Sequence, residues 1–216
     1  MRIRKPKIPE GLIEVEDILA AIQEARADET DVHDMSVQGV EVDAADLAAF
    51  TFHRVVFERC RFTGCSFDKA NFLDVRFNDC DFSNSTFADA YFHRCELVGG
   101  KWIGAQFFGT TFKSVGVNGG SYNYANFDSA NFQRVLVSAA EMVDVKLSGC
   151  TQKELAVDKV RFVRTNFFET RLKGIDFSTS ELSGVVVSSN LTEFEGAVVN
   201  PLQAVELVRL MGVTVK

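Results

Sequence analysis

A large apolar residue occupies every fifth position along most of the chain. From Phe52 to Val187 there are 28 consecutive positions of this series, and only Gln152 among them breaks the apolar rule. The unit from Ala70 to Asp74 reads as a small residue, an outward polar residue, a large apolar residue and two turn-like residues. A period of five fits neither a helix nor a plain strand. The pattern therefore predicts three-residue strands joined by two-residue corners.

The last position of each unit carries residues that help a chain to turn. Glycine fills it eight times between residues 50 and 190, and Asp74, Asp79, Asn84 and Asp89 fill it elsewhere. Glycine adopts a positive φ without steric cost, and Asn and Asp tolerate it better than most residues. A chain that bends the same way every five residues coils, and successive coils pair as parallel strands. Spacing alone leaves open whether three or four units close one coil.

Three units carry a resemblance to a known family. Ala70-Asn71-Phe72, Ala125-Asn126-Phe127 and Ala130-Asn131-Phe132 resemble the A-(D/N)-(L/F)-x-x signature of the pentapeptide-repeat family, and the resemblance covers roughly two-thirds of the chain. It implies four units per coil, so that residues twenty apart stack. The expected fold class is an all-β solenoid, a right-handed quadrilateral parallel β-helix of about seven to eight coils with N-terminal and C-terminal capping helices.

The N-terminal end of such a solenoid needs a cap, because it exposes apolar columns and strand edges. Residues 1–36 are expected to form a basic tail and an acidic amphipathic capping helix, with the helix over residues 11–26. Residues 37–190 are expected to form the β-helix, whose weaker first units centre on Val37, Val42 and Leu47.

Residues 191–216 are expected to cap the other end. Asn200 and Pro201 read as the N-cap and first position of a helix that runs to about Met211, and residues 213–215 could add a short strand. This ending is similar to that of the family's quinolone-resistance members, in which a terminal helix and tail form a twofold dimer interface. The resemblance implies a homodimer joined through the C-terminal end. The candidate interface residues are Leu207, Leu210, Met211, Val213 and Val215.

Charge is distributed unevenly along the chain. The formal net charge is −7, but residues 50–190 hold 16 Lys/Arg against 15 Asp/Glu, so the acidity is an N-terminal property. Under the four-sided geometry one face of the repeat body is basic, and its cations are spread too sparsely to favour a nucleic-acid partner. The members of this candidate basic face are Arg54, Arg94, Lys113, Arg134, Lys153, Arg171 and Lys173.

Catalytic and metal chemistry find little support in the sequence. All five cysteines fall two residues before a central apolar position, a slot typical of small buried side chains, and no CxxC pair is present. Cys60 and Cys80 would stack about 5 Å apart, but a disulfide is disfavoured in a reducing cytosol. A filled β-helix also leaves no pocket for convergent titratable groups. We therefore expect no enzyme activity, no catalytic, metal or cofactor-binding residues, and no cofactor.

Targeting signals are also missing from the sequence. The basic N-terminus is not followed by an apolar core of the signal-peptide kind, and no apolar run approaches the roughly 20 residues that span a bilayer. A cytoplasmic protein without a membrane partner is expected.

Function is therefore expected on the surface. Phe108 and Phe168 lie one residue past a central position, which places both outward on one face as a candidate partner surface. Gln152 marks a coil defect, where the chain should bulge or form hydrogen bonds across the coil. The resemblance implies a protein-binding scaffold that modulates a type II topoisomerase, DNA gyrase, as a DNA mimic. The alternative is a structural or interaction module for another protein, without topoisomerase activity.

Overall fold

The five-residue repeat folds as a parallel β-solenoid of about nine turns. The computed structural model describes Met1 and residues 3–216. In chain order the strands are β1 Ile13–Val15, β2 Val32–His33, β3 Met35–Gln38, β4 Glu41–Asp43, β5 Thr51–His53, β6 Val56–Glu58, β7 Arg61–Thr63, β8 Asn71–Leu73, β9 Arg76–Asn78, β10 Tyr91–His93, β11 Glu96–Val98, β12 Thr111–Asn118, β13 Asn131–Ser138, β14 Glu141–Val143, β15 Thr151–Asp158, β16 Arg161–Val163 and β17 Glu181–Ser183. The helices are α1 Ile18–Ala27 and α2 Pro201–Leu210, with a 3-10 helix at Thr192–Phe194.

Strand register answers the question that the spacing left open. Phe52 pairs with Phe72, Phe72 with Phe92, and Phe92 with Phe112, always in parallel and always twenty residues apart. Four five-residue units therefore close one turn, as the resemblance implied. The turn count exceeds the expected seven to eight because both ends add pairs, β1 with β3 and Asp176 with Val198.

Aromatic rings fill the axis of the N-terminal half. Phe72 stacks on Phe52 at 5.2 Å between ring centroids and on Phe92 at 4.6 Å. Rings that are neighbours within one turn meet edge to face instead, as Phe57 and Phe62 do at 90°. Both arrangements suit the ring quadrupole, and each adds to the energy of burying the ring itself. The result is one continuous apolar core along the solenoid axis.

The small slot of each unit is also a hydrogen-bonding slot. The Cys95 thiol donates to the carbonyl of Phe72 at 3.2 Å, and the Ser85 hydroxyl donates to the carbonyl of Phe62 at 2.7 Å. In each case the acceptor lies 23 residues earlier, on the preceding turn. Small polar residues therefore enter this slot without leaving a buried donor unsatisfied.

The corners tolerate more residue types than glycine, Asn and Asp. Arg54 and Arg94 adopt φ of 56° and 52°, in the left-handed region. An L-residue reaches this region at a steric cost, and the parallel pairs on either side of each corner hold the backbone there. Gly120, in the small slot just after a corner, is a stricter position, because a Cβ would lie 2.5 Å from the carbonyl oxygen of Gly99.

The N-terminal cap differs from the expected helix over residues 11–26. Residues 13–15 form β1 and pair with β3, and the helix begins only at Ile18. Asp17 is the reason for the late start, because its carboxylate accepts the backbone N–H of Ala20 and caps the helix there. Strand pairing begins before residue 37, since β2 already pairs with β5.

The C-terminal cap matches the expected helix but lacks the expected strand. Asn200 and Gln203 form a reciprocal capping box at the start of α2. The Gln203 side chain also donates to the carbonyl of Phe177 at 2.8 Å, which ties the helix to the solenoid. Residues 213–216 form no strand.

Removing one stacked ring tests this core. Phe72→Ala should lower the free energy of unfolding by about 3–5 kcal/mol, because it leaves a cavity between Phe52 and Phe92. Urea denaturation followed by circular dichroism measures the change. The matched control is Phe108→Ala, which removes an exposed ring and should stay within about 0.5 kcal/mol of the parent. Similar losses in the two variants would contradict the stacked core.

Candidate functional site

Three arginines of the candidate basic face are paired with carboxylates one turn away. Arg54 lies 2.5 Å from Asp34, Arg94 lies 2.5 Å from Asp74, and Arg134 lies 2.8 Å from Glu154. Each pair joins corner residues twenty apart. Three of the seven cations on this face are therefore each neutralised by a carboxylate one turn away.

The remaining four cations form no ion pair among the described residues. They are Lys113, Lys153, Arg171 and Lys173, and all four are exposed. Three of them, Lys153, Arg171 and Lys173, flank Gln152 and Leu172 on two successive turns. Free positive charge on this face is therefore concentrated around Gln152.

The hydrogen-bond ladder is interrupted at this point. β15 pairs with β13 on one side, and in the part of the chain that the structure describes it has no strand partner on the other. Residues 171–178 should pair with β15 on one side and with the following turn on the other, but in the described chain their backbone hydrogen bonds to neighbouring turns lie only on the second side. The N–H of Leu172 donates to the carbonyl of Glu193, and that of Phe177 to the carbonyl of Val198, both at 2.8 Å. We call the space between β15 and residues 171–178 the β15 gap.

On its other two sides, the turn that begins with β15 stays joined to the turn that follows it. β16 pairs with β17, and Asn166 pairs with Val186. The two turns are thus joined on two sides and separated on two. The gap opens at the corner that carries Glu154.

The side chain of Gln152 bridges the β15 gap. Its Nε2 lies 3.1 Å from the carbonyl of Lys173 and 3.5 Å from that of Arg171. In the regular ladder these carbonyls would accept the backbone N–H groups of Glu154 and Gln152, nineteen residues earlier. Of the two arrangements that the sequence left open, the structure has the hydrogen-bonded one, and Gln152 keeps the regular register with Phe132.

An apolar cavity of about 60 Å³ lies inside the solenoid next to the gap. Its lining includes Phe132, Val137, Leu155, Val157 and Leu172. Leu155 and Val157 are partly exposed, whereas their counterparts one turn earlier, Val135 and Val137, are buried. The interior is therefore not completely filled, contrary to the expectation from the repeat, because smaller residues follow the aromatic columns here and the ladder does not close over them.

Tyr122 also borders this cavity. Its hydroxyl is the only buried side-chain oxygen or nitrogen without a hydrogen-bond partner among the described residues. Burial raises the pKa of the phenol well above its ordinary value. Leaving such a group without a partner costs about 1–3 kcal/mol.

Exposed aromatic rings mark the second candidate surface. Phe108 is 51% exposed and Phe168 is 44% exposed, three turns apart on one face. Tyr124, at 62%, is a third exposed ring that the sequence reasoning missed. Its position in the corner slot was the available signal, because the repeat pattern places that slot outside the apolar core.

The candidate dimer residues divide into two groups. Leu207 is buried against its own chain, so it contributes to the cap. Leu210, Met211, Val213 and Val215 are exposed. The free apolar surface lies at the C-terminal end of α2 and in the tail beyond it.

The cysteine thiols are buried, and two outward histidines lie beside carboxylates. Burial raises the pKa of Cys95 and of Cys150 to about 12, which keeps both thiols protonated. His33 lies 3.0 Å from the carboxylate of Asp34, and His53 lies 3.9 Å from that of Asp74. No cluster of metal-ligating side chains is found among Met1 and residues 3–216.

Residues 50–127 and 70–143 match the family described as a pentapeptide repeat region. The chain carries a pentapeptide-repeat region. The twenty-residue register extends this region in both directions, from the pairing of β2 with β5 to that of Asn166 with Val186.

Three solved structures are similar to this chain at low identity. A trypsin-treated variant of QnrB1, a plasmid-mediated fluoroquinolone resistance protein, is 19% identical over 84% of this chain and 91% of that chain, with a TM-score of 0.45. HetL, a pentapeptide repeat protein involved in heterocyst differentiation regulation from the cyanobacterium Nostoc sp. strain PCC 7120, is 15% identical over 81% of each chain, with a TM-score of 0.42. The pentapeptide repeat protein Rfr23 from the cyanobacterium Cyanothece 51142 is 11% identical over 84% of this chain and 99% of that chain, with a TM-score of 0.31.

No curated protein matches this chain in sequence. In the described part of the chain, the helices are too short and too polar to cross a membrane.

Two carboxylates on the basic face make stability sensitive to acid. Although burial raises the pKa of Asp74, hydrogen bonds from Arg94 and from the Lys7 amide hold it below its ordinary value of 3.8. The hydrogen bond from Arg54 lowers the pKa of Asp34 to about 2. A depressed folded-state pKa adds stability that is present above the ordinary value and is lost as the pH falls through the folded one. The loss for Asp34 therefore spans the range from 3.8 down to about 2.

Asp74→Asn tests this contribution. The variant should lose about 1–3 kcal/mol of unfolding free energy at neutral pH, because Arg94 loses a charged partner. Its stability should also fall less steeply than that of the parent in acid, which urea denaturation at several pH values measures. Asp31→Asn, which removes an exposed carboxylate without an ion pair, is the control and should change neither quantity. An unchanged acid slope in Asp74→Asn would exclude the proposed role.

Proposed function

We propose that the protein is a non-enzymatic protein-interaction scaffold. The observation that carries this proposal is the contrast between its interior and its surface. The interior holds apolar columns, whereas Phe108 and Phe168 lie exposed on one face. Exposed aromatic rings are characteristic of protein contact surfaces. A rigid rod that presents such rings at a fixed spacing suits recognition better than catalysis.

DNA gyrase is the first partner that we propose. The basis is the resemblance of the repeat and of the C-terminal helix to quinolone-resistance members of the family, which engage this enzyme. The described surface does not have the uniform acidity of a DNA mimic, because the arginines on one face are balanced by carboxylates. We therefore place the contact at the aromatic pair.

The gyrase proposal predicts a direct effect on the enzyme. Purified protein at micromolar concentration should inhibit DNA supercoiling by gyrase, or should protect supercoiling from a fluoroquinolone. The double variant Phe108→Asp and Phe168→Asp should lose the effect, because both rings leave the contact surface. Tyr124→Asp, an equally exposed ring in another column, is the matched control and should retain it.

The outcomes separate the two candidate functions. An effect that survives the double variant would place the gyrase contact elsewhere on the chain. If the parent protein has no effect on gyrase at all, the topoisomerase proposal is wrong, and the alternative applies: a structural or interaction module for another protein partner.

We also propose that two copies join through the exposed C-terminal surface. Leu210 and Met211 continue the apolar stripe of α2 beyond the cap, and Val213 and Val215 extend it into the tail. A twofold axis would pair this patch with itself. Dimer formation would remove these apolar side chains of both copies from contact with water.

Light scattering coupled to gel filtration tests this dimer. The parent should elute with twice the mass of one chain, and Leu210→Asp with Met211→Asp should elute as a monomer. The control is Leu202→Asp, which changes an 81% exposed residue at the start of the same helix. A parent that is monomeric at high micromolar concentration would contradict the dimer.

A further inference from the structure

The β15 gap combines three features that are separate elsewhere in the solenoid. It has two facing strand segments that are not paired with each other, an apolar cavity behind them and unpaired cations in front. We propose that the gap binds a medium-chain aliphatic carboxylate, with the end of the chain in the cavity and the carboxylate beside Lys153, Arg171 and Lys173. This inference does not depend on gyrase or on a dimer.

The cavity sets the shape of the buried part of the ligand. An engineered apolar cavity of about 150 Å³ accommodates benzene, whereas this one measures about 60 Å³. It is therefore too small for a ring but suits the end of a flexible, unbranched chain. Its lining comes from successive turns, from Leu97 below to Phe177 above, which gives it an elongated form along the axis.

The gap itself would hold the rest of the chain. Leu155 and Val157 on one side face Leu172 and Ile175 on the other, and all four line the cavity. The first two are partly exposed, so a chain laid between the turns would remove apolar surface from water. Burial of this kind strengthens binding about fourfold for each methylene.

The mouth of the gap sets the charge of the ligand. Lys153 lies on β15, and Arg171 and Lys173 lie on the facing segment, so the three outward cations surround the opening beside Gln152. None has an acidic partner among the described residues, and Glu154, which follows Lys153 in the sequence, is paired with Arg134. A carboxylate here would gain charge-assisted hydrogen bonds without displacing an existing pair.

Gln152 would control access to the gap. Its amide spans the opening through two hydrogen bonds, of which one, at 3.5 Å, is long. Rotation of this single side chain would uncover the cavity without breaking a backbone pair. The incoming chain would then take the place that the amide occupies in the free protein.

Calorimetric titration of the full chain with sodium decanoate tests the proposal. The parent should bind one decanoate, and decyltrimethylammonium, which has the same chain and the opposite charge, should bind at least about tenfold more weakly. Lys153→Glu with Lys173→Glu should weaken decanoate binding by about tenfold or more. Lys101→Glu, an exposed cation on another face, is the matched control and should leave it unchanged.

Val157→Phe tests whether decanoate binds in the cavity or on the protein surface. The added ring continues the column from Val137 to Phe177 and fills the cavity, so decanoate binding should be lost while thermal unfolding remains cooperative. Binding that persists in this variant, or that ignores the charge of the headgroup, would mean adsorption on the surface and would overturn the proposal. Absence of one-to-one binding by the parent would do the same.

Methyl NMR of the unaltered protein gives a test that needs no variant. Decanoate should shift the methyl resonances of Leu155, Val157 and Leu172, which line the gap. The methyl groups of Val55 and Val75, buried in the N-terminal turns, should not move. Shifts spread evenly over both groups, or confined to the second, would contradict the assigned site.

Discussion

The parallel pairing of residues twenty apart is the constraint on which the rest of the structure depends. It places each inward side chain directly above another of the same slot, so that ring stacks on ring and thiol or hydroxyl meets a carbonyl of the turn below. It also brings corner residues into register, which is why Arg94 reaches Asp74. Core packing, slot chemistry and surface ion pairs therefore share one geometric origin, and a failure of the pairing alters all three at one place.

Much of the fold was predictable from the sequence because the repeat is local and regular. The phase of the apolar residues located the strands, and the capping residues Asn200 and Pro201 located α2. The start of α1 was wrong because residues 12–15 carry apolar side chains that suit either a helix or a strand. The choice between them comes from an unpaired edge on β3, which periodicity does not describe.

The candidate site was only partly predictable. Gln152 broke the apolar rule and so identified where the solenoid is irregular, but not how far the irregularity extends. Residues 171–178 keep the apolar phase, and nothing in them indicates that they form backbone hydrogen bonds with the following turn but not with β15. The ion pair of Arg54 with Asp34 was missed because Asp34 lies before the strong repeats and was not counted with this face.

A solenoid in which each turn touches only its neighbours behaves as a one-dimensional chain of coupled units. Its cooperativity is then limited by its weakest junction, and the β15 gap removes half of the backbone bonds at one junction. The turns beyond it, together with α2, can open as a separate unit at a lower free energy than the aromatic half. Slow amide exchange should thus be confined to the N-terminal turns, and anything that binds across the gap would join the two parts into one cooperative body.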